Sequence, residues 1–234
     1  MRVIGLDGAP ALVLSNALGT TSELWEPQLP ELAMRHRVVL YDHEPRSSVE
    51  GLSRDVLELA DDLGLERFSL CGLSLGGMVG MWLGLNEPGR IDKLVLACTA
   101  ARFGSPSDWE ARAELVRAKG MAAVASDAIE KWLSRGHPAR ERFLQMQLDF
   151  EAEDYARGLE AFGAFDLRDE LPSIEAPTLV IAGADDTATP PEDAAFIADR
   201  IPDSRLRILE GARHLANVCR PVEFNAELLE HLSD

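Results

Sequence analysis

Residues 72–76, Gly-Leu-Ser-Leu-Gly, are the part of this sequence whose residue types and spacing most directly suggest chemistry. They follow a short apolar run, residues 68–71, and precede an apolar stretch of helical character, residues 77–85. A serine between two glycines on a tight turn from strand to helix is typical of a nucleophile elbow. The glycines provide room, because residues beside such a strained turn must be small. We therefore predict that Ser74 is a nucleophile; the simpler interpretation is a glycine-rich turn with an incidental serine.

A serine nucleophile needs a base to take its proton and a third group to orient that base. His214 follows a predicted strand, residues 205–209, and we predict that it is the base. Asp185 and Asp186 follow another predicted strand, residues 176–183, and adjacent side chains must diverge. We favour Asp186 as the orienting acid, because the acid three residues after the last glycine of that strand would point back across the sheet. Asp185 is the alternative.

Two backbone N–H groups are expected to stabilise the negative charge that develops on a carbonyl oxygen during acyl transfer. One belongs to Leu75, the residue after the predicted nucleophile. The other should come from the loop at residues 16–22, which follows the first long apolar strand, residues 11–15. The same loop can cap a helix through Thr21 or Ser22, and both roles can hold at once.

Together these motifs resemble the α/β-hydrolase superfamily, and more narrowly the 3-oxoadipate enol-lactonases. The matching segments occur in the expected order along nearly the whole chain, at residues 15–20, 71–78, 119–124, 166–169, 181–191 and 214–218. The resemblance implies a mostly parallel central sheet with helices on both faces and a helical cap inserted after the sixth core strand. Many relatives carry His-Gly where this chain has Asn16 and Ala17, which implies that Leu18 is the second N–H donor.

The expected organisation is a core, residues 1–101 and 166–234, with a cap, residues 102–165. Helical periodicity and its breaks predict cap helices at residues 107–118, 121–134, 139–150 and 153–164. A helical lid over the nucleophile would exclude water and select substrates. Within it we predict substrate contacts from Trp132, Tyr155 and Arg135, the last as a clamp for a carboxylate, with Arg112 as a second candidate. Ordinary lid packing and a solvated helix face are the alternatives for these side chains.

The 234 residues, 46% of them hydrophobic, are enough to bury one large core. No apolar run approaches the roughly 20 residues of a membrane span, and residues 1–7 lack the apolar region of a signal peptide. Three scattered cysteines form no disulfide framework, so we expect a cytoplasmic protein.

The net charge of −17 argues against nucleic acid or an anionic membrane as a partner. No phosphate-binding loop or metal-spaced cluster is present, so neither a cofactor nor a metal is predicted.

The expected reaction is hydrolysis of a small ester or lactone through an acyl-enzyme. The family resemblance implies that the substrate is 3-oxoadipate enol-lactone, in aromatic catabolism. A broad-specificity carboxylesterase, a cofactor-free perhydrolase and a C–C bond hydrolase would use the same triad, and they stand as alternatives. A non-catalytic ligand receptor on this fold is the alternative from another class, and the intact triad argues against it.

Overall fold

A seven-stranded sheet forms the centre of the computed structural model, which describes residues 1–233. Its strands are β1 (Arg2–Gly5), β2 (Ala11–Ser15), β3 (Arg37–Leu40), β4 (Phe68–Leu73), β5 (Ile91–Ala97), β6 (Thr178–Gly183) and β7 (Ser204–Leu209). Their order across the sheet is β1-β3-β2-β4-β5-β6-β7. Among the described strands, β1 is the one that runs antiparallel to its neighbour. The predicted mostly parallel sheet of an α/β-hydrolase fold is therefore confirmed.

Helices cover both faces of this sheet, as the crossovers between parallel strands require. They are α1 (Leu29–Leu32), α2 (Val49–Asp62), α3 (Leu75–Asn86), α4 (Pro106–Lys119), α5 (Ala122–Trp132), α6 (Arg140–Leu148), α7 (Ala152–Ala164), α8 (Pro191–Ala198), α9 (Ala216–Cys219) and α10 (Pro221–Ser233). None of the helices within residues 1–233 has both the length and the apolar character needed to span a bilayer.

Successive residues of the strands supply two hydrophobic cores, one on each face, because side chains along a strand alternate in direction. In β2, Val13 belongs to the core that contains Met78 of α3. Its neighbours Leu12 and Leu14 belong to the other core, with Phe224 of α10. β4 and β6 are buried at every residue, so packing on both faces fixes where each strand ends.

Four helices, α4 to α7, occupy the segment predicted to be the cap. Counted along this chain, that segment follows the fifth strand rather than the sixth, because a single strand, β1, precedes β2 within residues 1–233. The two ends of the segment meet each other: Arg102 and Asp166 form an isolated antiparallel bridge outside the sheet strands. The Leu167 N–H also donates to the Ala101 carbonyl at 2.9 Å. This pairing supports the proposal that residues 102–165 form a separate cap.

Candidate active site

Ser74 lies on the turn between β4 and α3 and has a strained backbone, with φ 57° and ψ −111°. Non-glycine residues rarely adopt such angles, and they persist only where the surroundings enforce them. Here the Thr99 hydroxyl donates to the Ser74 carbonyl at 2.8 Å, and the Ser74 N–H donates to the Ala97 carbonyl at 2.9 Å. The end of β5 thus holds the turn, a role for Thr99 that the sequence did not reveal.

Close contact between the turn and β2 explains the second glycine of the motif. A Cβ atom on Gly76 would lie 2.1 Å from the Ser15 carbonyl oxygen, so any side chain would push the helix away from the strand. The Gly76 N–H meanwhile donates to the Asn16 carbonyl at 3.0 Å. The start of α3 and the loop after β2 are therefore in direct contact.

Replacing Gly76 with alanine should destabilise the fold, because the obstructing atom belongs to backbone and cannot rotate away. We expect the free energy of unfolding to fall by about 1–3 kcal/mol, the usual cost of overpacking. Urea unfolding followed by circular dichroism would measure it. Gly89→Ala is the matched control, since a Cβ there meets no atom within 4 Å. Equal losses in the two variants would contradict the steric explanation.

His214 and Asp186 meet at the carboxyl ends of β7 and β6. The His214 Nδ1 and the Asp186 Oδ2 are 2.8 Å apart, and each residue is only 3% exposed. Asp185, the alternative acid, is more exposed than Asp186 and makes no side-chain contact with the histidine among the described hydrogen bonds and ion pairs. The structure therefore brings Asp186, and not its neighbour, to the histidine.

Four hydrogen bonds hold the Asp186 carboxylate. Its Oδ1 accepts from the N–H groups of Ala188, at 2.8 Å, and Thr189, at 3.1 Å. Its Oδ2 accepts from the Thr189 hydroxyl at 2.8 Å as well as from His214. Burial alone would raise the pKa of Asp186, but the attraction of His214 and these hydrogen bonds keep the pKa below its ordinary value. A charged Asp186 orients His214 with Nδ1–H toward it and leaves Nε2 to accept a proton.

The two predicted oxyanion donors have N–H groups available for a ligand. Leu75 is the first residue of α3, where amide groups have no partner within the helix. Within residues 1–233, neither Leu18 N–H nor Leu75 N–H donates a hydrogen bond to another protein group. The Asn16 side chain fixes the Leu18 loop, since it donates to the Tyr41 carbonyl at 2.8 Å and accepts from Trp25 Nε1 at 2.9 Å.

A cavity of about 80 Å³ lies beneath the cap, and both Ser74 and His214 line it. Trp132 and Tyr155 also line it, as expected for substrate contacts. Arg135 does not: it lies beyond the end of α5, its side chain is 89% exposed, and it pairs with Glu130 at 3.5 Å. The remaining wall residues are Leu18, Phe103, Trp109, Arg112, Ala128, Lys131, Leu159, Phe162 and Ala188.

The cations of the cavity wall are Arg112, the second candidate from the sequence, and Lys131, which no sequence pattern singles out. Both lie near one carboxylate oxygen, Asp127 Oδ2, at 3.2 Å from Arg112 Nη1 and 3.8 Å from Lys131 Nζ. Two cations thus share one carboxylate at a cavity in a protein of net charge −17. Burial raises the pKa of Tyr155, so its phenol stays neutral beside them.

Residues that could hold a metal ion are not clustered in the part of the chain that the structure describes. No group of three or more His, Cys, Asp or Glu side chains within residues 1–233 has a suitable arrangement. The chemistry that this site offers comes from the serine, the histidine–aspartate pair and the two amide donors.

The comparison with known proteins agrees with this arrangement. The model of the alpha/beta hydrolase family matches residues 12–227. Relatives include 3-oxoadipate enol-lactonase 2 of Acinetobacter baylyi, 36% identical over 92% of this chain and 86% of its own. RutD of Stutzerimonas stutzeri, to which a carbamate hydrolase activity is attributed, is 34% identical over 97% of this chain and 92% of its own.

A solved structure of another hydrolase has the same fold as this chain. The enol-lactonase from Burkholderia xenovorans LB400 superposes with a TM-score of 0.95 and 35% identity, covering 100% of this chain and 95% of its own. The family model and the relatives both extend along almost the whole sequence. This chain is therefore a hydrolase that belongs to the alpha/beta hydrolase family.

Proposed function

We propose that this hydrolase opens a small lactone through a serine acyl-enzyme, and that its substrate is 3-oxoadipate enol-lactone, in aromatic catabolism. The observation that carries the proposal is the meeting of Ser74 and the Asp186-bound His214 at one cavity whose wall also holds two cations. Relatives named 3-oxoadipate enol-lactonase, at 32% and 36% identity, support the choice of lactone.

In the first half of the reaction, the Ser74 oxygen attacks the carbonyl carbon of the lactone, and its proton passes to His214 Nε2. The carbonyl oxygen becomes an oxyanion that accepts hydrogen bonds from the Leu18 and Leu75 N–H groups. The positive charge on the imidazole is stabilised by the buried Asp186 carboxylate. The bond between the carbonyl carbon and the ring oxygen then breaks, and His214 returns its proton to that oxygen.

In the second half, a water molecule attacks the ester formed with Ser74. His214 takes a proton from the water, the same two amides stabilise the oxyanion, and the proton goes to the departing serine oxygen. The product is a single open-chain molecule that carries the new carboxylic acid and an enol, and the enol becomes a ketone when one proton moves from its oxygen to carbon. No group other than water is consumed, and Ser74 is regenerated.

Recognition of the substrate's free carboxylate is assigned to Arg112 and Lys131. A charge-assisted hydrogen bond to a carboxylate contributes roughly 1.5–3 kcal/mol when it is desolvated. Here the side chains are 25% and 44% exposed, so screening by solvent reduces that value. We therefore expect each contact to contribute about 1.5 kcal/mol, which is equivalent to about a tenfold change in kcat/KM.

Arg112→Met and Lys131→Met should each lower kcat/KM for the carboxylated lactone by about tenfold, because each variant loses one charge-assisted contact. The same variants should barely change kcat/KM for the neutral methyl ester of that lactone. Arg135→Met is the matched control, since this cap arginine faces solvent. Steady-state kinetics on the acid and its ester would measure all three.

The same assay separates the alternative functions. If the wild-type enzyme shows equal kcat/KM for the charged and neutral lactones, the lactonase proposal is wrong and a general carboxylesterase takes its place. A panel of p-nitrophenyl esters would then define its acyl preference. If the chain binds the lactone but turns over no lactone or ester, it is a receptor on a hydrolase fold.

A further inference from the structure

The loop that carries Leu18 is held from the cap side as well as from the core. Leu18 packs against Gly158, a buried residue in the middle of α7. A Cβ atom on Gly158 would lie 2.2 Å from the Leu18 Cδ1 atom, so a larger residue requires the Leu18 side chain to leave its present place. Glycine inside a helix costs about 1 kcal/mol relative to alanine. Its presence at this position is explained by the space that Leu18 needs.

Helix α6 contacts the next residues of the same loop. The buried Gln147 side chain donates through Nε2 to the Gly19 carbonyl at 3.4 Å. The neighbouring Met146 sulfur lies 3.4 Å from the Thr21 N–H, which donates to it. Contacts from α6 therefore follow the loop along the residues immediately after Leu18.

An ion-pair cluster continues this attachment at the surface. Arg142 of α6 lies 3.0 Å from the Glu23 carboxylate and 2.5 Å from the Glu26 carboxylate. Exposed ion pairs contribute little individually. Together with the buried contacts, they show that α6 contacts the segment after β2 at several residues between Gly19 and Glu26.

The two oxyanion donors consequently have different supports. Leu75 belongs to the core, at the start of a helix fixed by the elbow, whereas Leu18 lies on a loop held between the core and two cap helices. We propose that Gly158 and Gln147 are positioning residues, through which the cap sets the location of the Leu18 N–H in the oxyanion hole. This inference rests on the proposed function, because it assigns Leu18 N–H to the oxyanion.

Gly158→Ala tests the inference, since the added methyl group must displace the Leu18 side chain. We expect the displaced side chain to shift the Leu18 backbone, so that kcat for p-nitrophenyl acetate falls by about 10- to 100-fold, as for a misplaced oxyanion donor, with a smaller change in KM because Leu18 also lines the cavity. We expect kcat to change more than KM because the amide donates to the oxyanion mainly in the transition state. Circular dichroism should show that the helices are retained, because alanine favours a helix more than glycine does. Thermal unfolding measures the cost of the contact with Leu18 separately.

A second substitution distinguishes a positioning role of Gly158 from general damage to the fold. Leu18→Ala removes the obstructing methyl groups and keeps the backbone N–H, so Gly158→Ala should have little effect on kcat in that background. Gly163→Ala is the matched control on the same helix, because a Cβ there makes ordinary contact with Pro106 at 3.5 Å. Gln147→Leu, which removes the donor to Gly19, should also lower kcat more than it raises KM.

The outcomes separate the two proposals. If the wild-type enzyme hydrolyses esters through Ser74 but Gly158→Ala keeps full kcat, the positioning role is wrong and the proposed function stands. If Gly158→Ala lowers kcat equally in the wild-type and Leu18→Ala backgrounds, the positioning role is also overturned. A wild-type chain with no Ser74-dependent hydrolysis overturns the proposed function, and this inference fails with it.

Discussion

Ser74→Ala should abolish hydrolysis while leaving the fold intact. Removing a serine nucleophile from such a triad lowers kcat by about 10⁶-fold, because the remaining groups act as a unit with it. The backbone contacts that enforce the turn, to Thr99 and Ala97, do not use the serine hydroxyl, so circular dichroism and thermal unfolding should match the wild type. Initial rates on the lactone and on p-nitrophenyl acetate measure the effect.

The activity that remains in the Ser74→Ala preparation decides between mechanisms. An oxyanion hole and a binding pocket alone leave only a small rate above that of water. If the purified variant retains more than about 1% of wild-type turnover, which is far above that small rate, the acyl-enzyme mechanism is wrong. Trapping with a phosphonate ester gives an independent check, because a mass increase on the wild type and none on the variant is expected.

Asp186→Asn should lower kcat by about 10⁴-fold, since an amide cannot orient the histidine in the tautomer that leaves Nε2 as the base. Asp185→Asn, one residue away and outside the contact with the histidine, should cost little and provides the matched control. Side-by-side kinetics on both variants, with circular dichroism to verify folding, measure the difference. The reverse ranking would assign the acid's role to Asp185.

Local sequence was sufficient to predict the position of residues that lie on turns after strands. Ser74, Asp186 and His214 each follow such a strand, and the ends of neighbouring parallel strands meet at one edge of the sheet. Their proximity therefore follows from strand order and needs no knowledge of side-chain packing. The support from Thr99 and Thr189 was missed, because a threonine after a strand has no distinctive pattern.

The cap shows where prediction from sequence ends. Its helices were expected from their periodicity, but periodicity does not tell how α4 and α5 rotate toward the cavity. Arg112, Lys131 and Arg135 are all cations of the cap, and only the packing of the helices separates the first two, which line the cavity, from the third. Likewise, the contact between Gly158 and Leu18 joins residues far apart in the chain, and no local sequence pattern predicts it.

The order of the strands has a consequence for how the molecule acquires activity. Leu18 follows β2, Ser74 follows β4, and Asp186 and His214 follow the last two strands. Parallel pairing depends on contacts between distant segments, which form late because long loops must close first. A refolding chain should therefore regain helical signal before it regains turnover, and recovered activity would report completion of the sheet from β2 to β7.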